Sequence, residues 1–175
     1  NMISCALGHH INEFRWVHDP KYIEQDVKIW YRGNDEKPMN KLYKFSSWTA
    51  DALYNRYLVN KDEKFLLDLY PDMVTDYAVW EKERQRKDGL FWQHDVKDGM
   101  EESLSGGRKV QNARPTINSY MYGNAVAISK MAEMKDDKEV EAKFKAKADV
   151  LQQLVETKLW NSKSEFFETL TEKDT

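Results

Sequence analysis

One pattern occurs twice in this chain and limits what it can become. A turn bearing an acid, a long amphipathic helical stretch, a small polar loop and two adjacent aromatics run from Asp62 to Trp92, and again from Asp137 to Phe167. The turn acids Asp62 and Asp137 stand 75 residues apart, and so do Phe91 and Phe166. A less charged helical stretch precedes each copy, so the repeating unit is a helical hairpin. No stretch of useful length alternates as a strand does, and the chain reads as all-α.

In chain order, Asp19-Pro20 reads as a helix start, with Asp as N-cap and Pro at the first helical position. The next stretch puts Ile23, Val27 and Trp30 on one face and ends at Gly33-Asn34. Ser46 and Ser47 are N-cap candidates for the next helix, whose apolar face gathers Trp48, Ala52, Leu53 and Tyr57. A third helix runs from Asp62 to about Arg86, with a kink expected near Tyr70 because Pro71 lacks a backbone donor. Thr116 or Asn118 caps a fourth helix through Met134. A fifth runs from Lys138 to Leu159, with Val140, Phe144, Ala148, Leu151 and Val155 on its inner face.

The turns inside pairs are short (Asn60 to Asp62, Lys135 to Asp137), and the links between pairs are long (33–45 and 87–117). An inner helix followed by a more charged outer one, repeated, describes a toroid or solenoid of hairpins. All long loops then lie on one face, at the starts of the inner helices, and function is expected there.

Composition removes several functional classes. The formal net charge is −3, and no basic run alternates with aromatics, which argues against a nucleic-acid surface. No apolar run approaches the ~20 residues of a membrane helix. The chain does not start with Met and shows no positive-then-apolar leader, as expected of a mature secreted form or an excised piece. The single cysteine, Cys5, sits in an apolar run and reads as buried and inert. His9 and His10 are adjacent and lack the spacing of a helical zinc motif.

The longest link, Asp88 to Asn118, packs acids, glycines, arginines and aromatics into one segment without helical periodicity. Such a loop inside a compact domain is functional or disordered. Phe91, Trp92, Met100 and Ile117 argue against disorder. After Asp88, its acids are Asp95, Asp98, Glu101 and Glu102. They are candidates for general acid chemistry, for a calcium-binding cluster, or for solvated surface charge.

Trp92 and Phe91 are candidates for a sugar platform or for packing beneath the loop. Gln93 and His94 are polar candidates for sugar contacts. Arg114 and Asn118 stand at the next inner-helix start, while Tyr43 and Trp48 stand at the other long link.

The run Gly99-Met100-Glu101-Glu102-Ser103, set between an outer and an inner helix, resembles the general-acid loop of the six-hairpin (α/α)6-toroid glycosidases. The resemblance is nearest to glycoside hydrolase family 63 and the mannosylglycerate-hydrolase-like domains, with trehalases more distant. Arg15-Trp16 to Trp30, with Asp19-Pro20, resembles a family 63 outer helix and its lead-in, and RPTINSYMYGNA resembles the start of the next inner helix. The acid in family 63 and in trehalases is Asp, so Glu101 is one methylene longer. The chain holds fewer than half of the hairpins a toroid needs, and the family's general base lies in hairpins beyond it.

The resemblance implies one partial toroid domain over residues 1–175 and an inverting glycosidase acting on an α-linked gluco- or mannoside. It implies Glu101 as general acid; from the residues themselves, Asp98 and Glu102 are like charges that would raise its pKa, and Trp92, Gln93, Asp98, Glu102, Arg114, Asn118 and Trp48 are the substrate-binding candidates. It calls for no cofactor, and it implies a carbohydrate as substrate. An open half-toroid is expected to associate with the rest of its barrel or with another copy. Two other readings stay open: a carbohydrate-binding toroid without catalysis, and a helical-repeat interaction module whose Asp88–Asn118 loop is disordered.

Overall fold

The computed structural model of the chain describes residues 4–33, 41–100, 102–104 and 107–174. Its described residues form the helices α1 (Ser4–Phe14), α2 (Lys21–Arg32), α3 (Thr49–Asn60), α4 (Glu63–Asp68), α5 (Tyr70–Arg84), α6 (Pro115–Met134) and α7 (Lys138–Leu154). Two small antiparallel ribbons complete it: β1 (Gln93–His94) with β2 (Gln111–Asn112), and β3 (Trp160–Asn161) with β4 (Phe166–Phe167). Helices α1, α3 and α6 pack side by side as an inner row, backed by α2, α5 and α7. The hairpin order of an incomplete toroid is therefore present. No helix among the described residues is long and apolar enough to cross a membrane.

The repeated turn is a repeated physical device. Asp62 accepts a hydrogen bond from the Phe65 N–H at 3.1 Å, and Asp137 accepts one from Val140 at 3.2 Å. Each removes one of the unsatisfied donors at a helix start. The residue before each cap, Lys61 (φ 58°) and Asp136 (φ 55°), is left-handed, which reverses the chain between the paired helices. After Asp62 the helix breaks at Leu69 and resumes at Tyr70, with Pro71 in the first turn where its missing N–H costs nothing.

The repeat slips by one residue in its last loop. Gln85 bridges to Phe91, but the equivalent Trp160 pairs with Phe167 rather than Phe166. Phe91 is fully buried, whereas Phe166 is 69% exposed. The difference lies in the covering helix: α6 packs over Phe91 and bonds its backbone through Asn118, and Tyr77 meets the Phe91 ring edge-on at 6.1 Å.

Several helix ends differ from expectation. Helix α2 begins at Lys21 with Pro20 as the capping residue, although Asp19 still accepts from the Lys21 N–H at 3.1 Å. Helix α3 has Trp48 at its cap without a side-chain bond, and Ser47 turns its hydroxyl to Thr49 instead. Helix α6 starts at Pro115 behind Arg114, so neither Thr116 nor Asn118 is its cap. Helix α7 ends at Leu154 and gives way to a wider π turn over Val155–Leu159.

Helix α1 buries Ser4, Leu7, Gly8 and Ile11, which form one helical stripe. Cys5 turns away from that stripe and is exposed, which corrects the expectation of a buried thiol. Gly8 is the contact point with α3. A Cβ there would lie 2.7 Å from the Trp48 ring, closer than any real Cβ contact.

The outer row is tied by the Lys147–Glu81 ion pair and by Tyr77 edge-on to Phe144 at 5.1 Å. Replacing Asp137 by Ala is expected to cost about 1–2 kcal/mol, since it removes the α7 cap and the acceptor of the Tyr70 hydroxyl. Hydrogen exchange in the first turn of α7 measures this. Unchanged protection there would contradict the assignment.

Candidate active site

The site is built by a ribbon whose alternation sorts its side chains. Gln93 pairs with Asn112 across the ribbon, and His94 pairs with Gln111. Gln93 and Asn112 are fully buried, while Gln111 is exposed. One face therefore looks inward and the other outward. Asp95 continues the inward face and is completely buried.

Its Oδ1 accepts from Arg114 Nη2 at 2.7 Å, Arg114 Nε at 3.0 Å and Asn112 Nδ2 at 2.8 Å. Arg114 also donates to Ser103 at 2.9 Å and Thr169 at 3.2 Å. The buried charges are thus paired, the condition under which burial is tolerated, while Asp95 Oδ2 has no hydrogen-bond partner among the described residues.

This pairing fixes the short 3-10 turn Asp95–Lys97. Gln93 Nε2 donates to the Tyr43 carbonyl at 3.0 Å, and the Ser46 N–H donates to the Lys97 carbonyl at 2.9 Å. The turn is thereby docked between the entries of α3 and α6.

Asp98 comes immediately after the turn and is only 9% exposed. Neither of its carboxyl oxygens has a hydrogen-bond partner among the described residues. Burial pushes its pKa up to about 6; the nearby Ser46 hydroxyl and the Arg114 charge pull against this, and the Asp95 charge adds to it. Tyr120 lies close enough that burial first, and then the Asp98 charge, raises its phenol. The Tyr120 ring stacks on Trp48 at 6.1 Å, and His9 meets Trp48 edge-on at 5.2 Å. A desolvated carboxyl beside stacked aromatics, at the heads of the inner helices, can hold or move a proton near neutral pH and offer a ring face to a sugar.

The predicted site residues divide accordingly. Asp98 and Trp48 are brought together here. Arg114 holds Asp95. Gln93 holds the α3 entry and also accepts from the His94 N–H at 3.1 Å. Asn118 is a clamp: it accepts from the Phe91 N–H at 2.8 Å and donates to the Phe91 carbonyl at 3.0 Å and the Arg114 carbonyl at 2.8 Å. Glu102 is exposed and pairs with Arg108 at 3.5 Å, outside the site.

Trp92 is on the outward side of the ribbon, edge-on to His94 at 5.2 Å, and lines a different cavity. Glu101 lies outside the described residues. Among those residues no group of three or more His, Cys, Asp or Glu could hold a metal.

Asp95, Asn112 and Tyr120 carry more of the site than their surroundings in the sequence suggested. Asp95 is one of four candidate acids in the loop, and the period-2 alternation through Gln93 is the signal that sets it apart. No comparable signal marks Tyr120.

The two buried acids make opposite contributions to stability. Asp95→Ala removes the carboxylate of a buried ion pair with Arg114 and is expected to cost about 3–5 kcal/mol. Asp98 has a raised pKa, so its stabilising contribution is full below the unfolded value near pH 4 and lost as pH rises through about 6. Asp98→Asn is therefore expected to stabilise the protein at pH 7 by on the order of 2–3 kcal/mol and to have no such effect at pH 4. Thermal unfolding of both variants, at the two pH values for Asp98→Asn, checks this.

A solved structure described as "Sialidase" superposes on the chain with a TM-score of 0.93 at 53% sequence identity. The match covers 98% of this chain and 16% of that one, so the chain spans about a sixth of the larger protein. No curated protein matches it. The model of the mannosylglycerate hydrolase MGH1-like glycoside hydrolase domain matches residues 1–175. The whole described hairpin array falls inside that match, and the chain belongs to the MGH1-like glycoside hydrolase family.

Proposed function

We propose that this chain supplies the acid-bearing part of an inverting O-glycosidase site acting on an α-linked gluco- or mannoside, with Glu101 as general acid. The observation that carries the reading is Asp98. It is a desolvated carboxyl raised to about 6, three residues before Glu101, at the heads of the inner helices of a glycoside hydrolase fold.

Protonated Glu101 donates to the leaving glycosidic oxygen as the C–O bond breaks. A carboxylate base, supplied from outside this chain, takes the proton of the water that attacks the opposite face of the sugar. An inverting pair of this kind is ~6.5–9.5 Å apart.

Asp98 sets the acid's proton affinity. Ionised above pH ~6, it places a negative charge near Glu101 in sequence and raises that group's pKa. The Trp48–Tyr120 stack is the platform for the sugar ring. Arg114, the guanidinium of the site, is held by Asp95 rather than offered to a sugar carboxylate, which favours a neutral glycoside. The relative described as a sialidase matches over 16% of its length, and its description applies to that larger protein.

In the full-length protein, Glu101→Gln is expected to lower kcat by about 10²–10⁴ on a substrate with a poor leaving group. The loss shrinks on an activated aryl glycoside, which needs less protonation. Asp98→Asn is expected to retain turnover but shift the alkaline limb of the pH–rate profile to lower pH, because removing the charge lowers the acid's pKa. The reverse pattern, with Asp98→Asn inactive and Glu101→Gln active, would move the acid role to Asp98.

A further inference from the structure

The outward side of the β1–β2 ribbon faces a cavity of about 710 Å³ that the proposed mechanism does not use. It is lined by Trp92, Gln85, Arg86, Lys87, Asp88, Gln111 and Glu172. Trp92 and Gln111 come from the side of the ribbon opposite Gln93, Asn112 and Asp95, so this cavity and the Asp98 site lie on opposite faces. The volume falls within the ~300–1,000 Å³ of small-ligand sites.

Trp92 is held in place from two sides. The Arg84 guanidinium lies 4.4 Å from its ring centroid, and His94 meets its edge at 5.2 Å. Arg84 is itself fixed over Tyr43 at 4.9 Å.

The polar lining divides into committed and uncommitted groups. Arg86 donates to the Thr171 and Asp174 carbonyls and pairs with Asp88 at 3.3 Å, and Asp88 also faces Lys158 at 3.7 Å. Gln85 donates to the Gly89 carbonyl at 3.1 Å. Among the described residues, Lys87 and the Gln111 side-chain amide have no partner, and the Glu172 carboxylate accepts only the Gln111 N–H at 3.4 Å.

What remains is one cationic donor, one anionic acceptor and one amide around a fixed indole. Balanced opposite charges do not select a charged ligand. They suit hydroxyls, which accept from an ammonium and donate to a carboxylate, while the indole takes the C–H face of a sugar ring.

We propose that this cavity is a second carbohydrate site, separate from the Asp98 site, which takes a neutral hexopyranosyl unit of a glycan. The assignment stands whether Glu101 or Asp98 is the acid. The test is calorimetric titration of the full-length protein with maltotetraose and, separately, with an α-linked mannotetraose. At least one is expected to bind, and Trp92→Ala to weaken that binding about tenfold, the worth of one stacked ring.

Gln111→Ala and Lys87→Ala, exposed substitutions that keep Trp92 packed, are expected to weaken the same binding should Trp92→Ala disturb the fold. The proposal is overturned if neither oligosaccharide binds, or if all three variants bind as the parent does. It is also overturned if Lys87 in the full-length protein resists acetylation because the rest of the chain covers the cavity. Binding at this cavity by a parent protein that hydrolyses neither oligosaccharide nor an aryl α-glycoside would count against the proposed function and not against this site.

Discussion

The Asp95–Arg114 pair is the contact on which the candidate site depends. Two opposite charges are buried together at the entry of α6, with Asn112, Ser103 and Thr169 around them. Burying such a pair brings little net stability, because desolvation opposes the attraction. Its effect is positional. It fixes where the chain turns after β1, and that turn delivers Asp98 into a dry place between α3 and α6. Asp98 is perturbed first because it is buried; the Asp95 charge adds to the shift, and the Arg114 guanidinium, which bonds Asp95, pulls against it.

Helix α6 is the element that organises the rest. Two of its asparagines, Asn118 and Asn124, act as backbone clamps. Asn118 holds both polar groups of Phe91, at the return of the preceding hairpin. Asn124 accepts from the Asp51 N–H at 3.1 Å and donates to the Ser47 carbonyl at 3.2 Å, at the entry of α3. Buried amides with both ends satisfied specify one docking geometry. The site is therefore held between a helix and two loop entries, each tied by named hydrogen bonds.

The hairpin order was legible in the sequence because it rests on local physics. The acid turns at Asp62 and Asp137 are caps, and caps are written in short spacings. The helix periods and the break before Pro71 are equally local. The one-residue slip between Phe91 and Phe167 was not legible, because it depends on how each return strand pairs. The site was legible only in part. The sequence marked the loop that carries Asp95 and Asp98, but long-range contacts decide which of its polar residues are buried. Asn118 and Gln93 looked like sugar ligands and proved to be clamps, while Trp92 belongs to the opposite face of a ribbon only two residues long. Cys5 read as buried from its apolar neighbours, yet the helical stripe through Leu7 and Ile11 leaves it outside.

The fold, through Asp95 and Arg114, holds Asp98 as a desolvated carboxyl that titrates near neutrality. The most direct test is a carboxyl ¹³C titration of the full-length protein labelled at aspartate, with the Asp98 signal assigned by its loss in Asp98→Asn. A midpoint at about pH 6 is expected. A midpoint near the ordinary aspartate value of ~4 would contradict it, because a solvated Asp98 would have no special proton to hold.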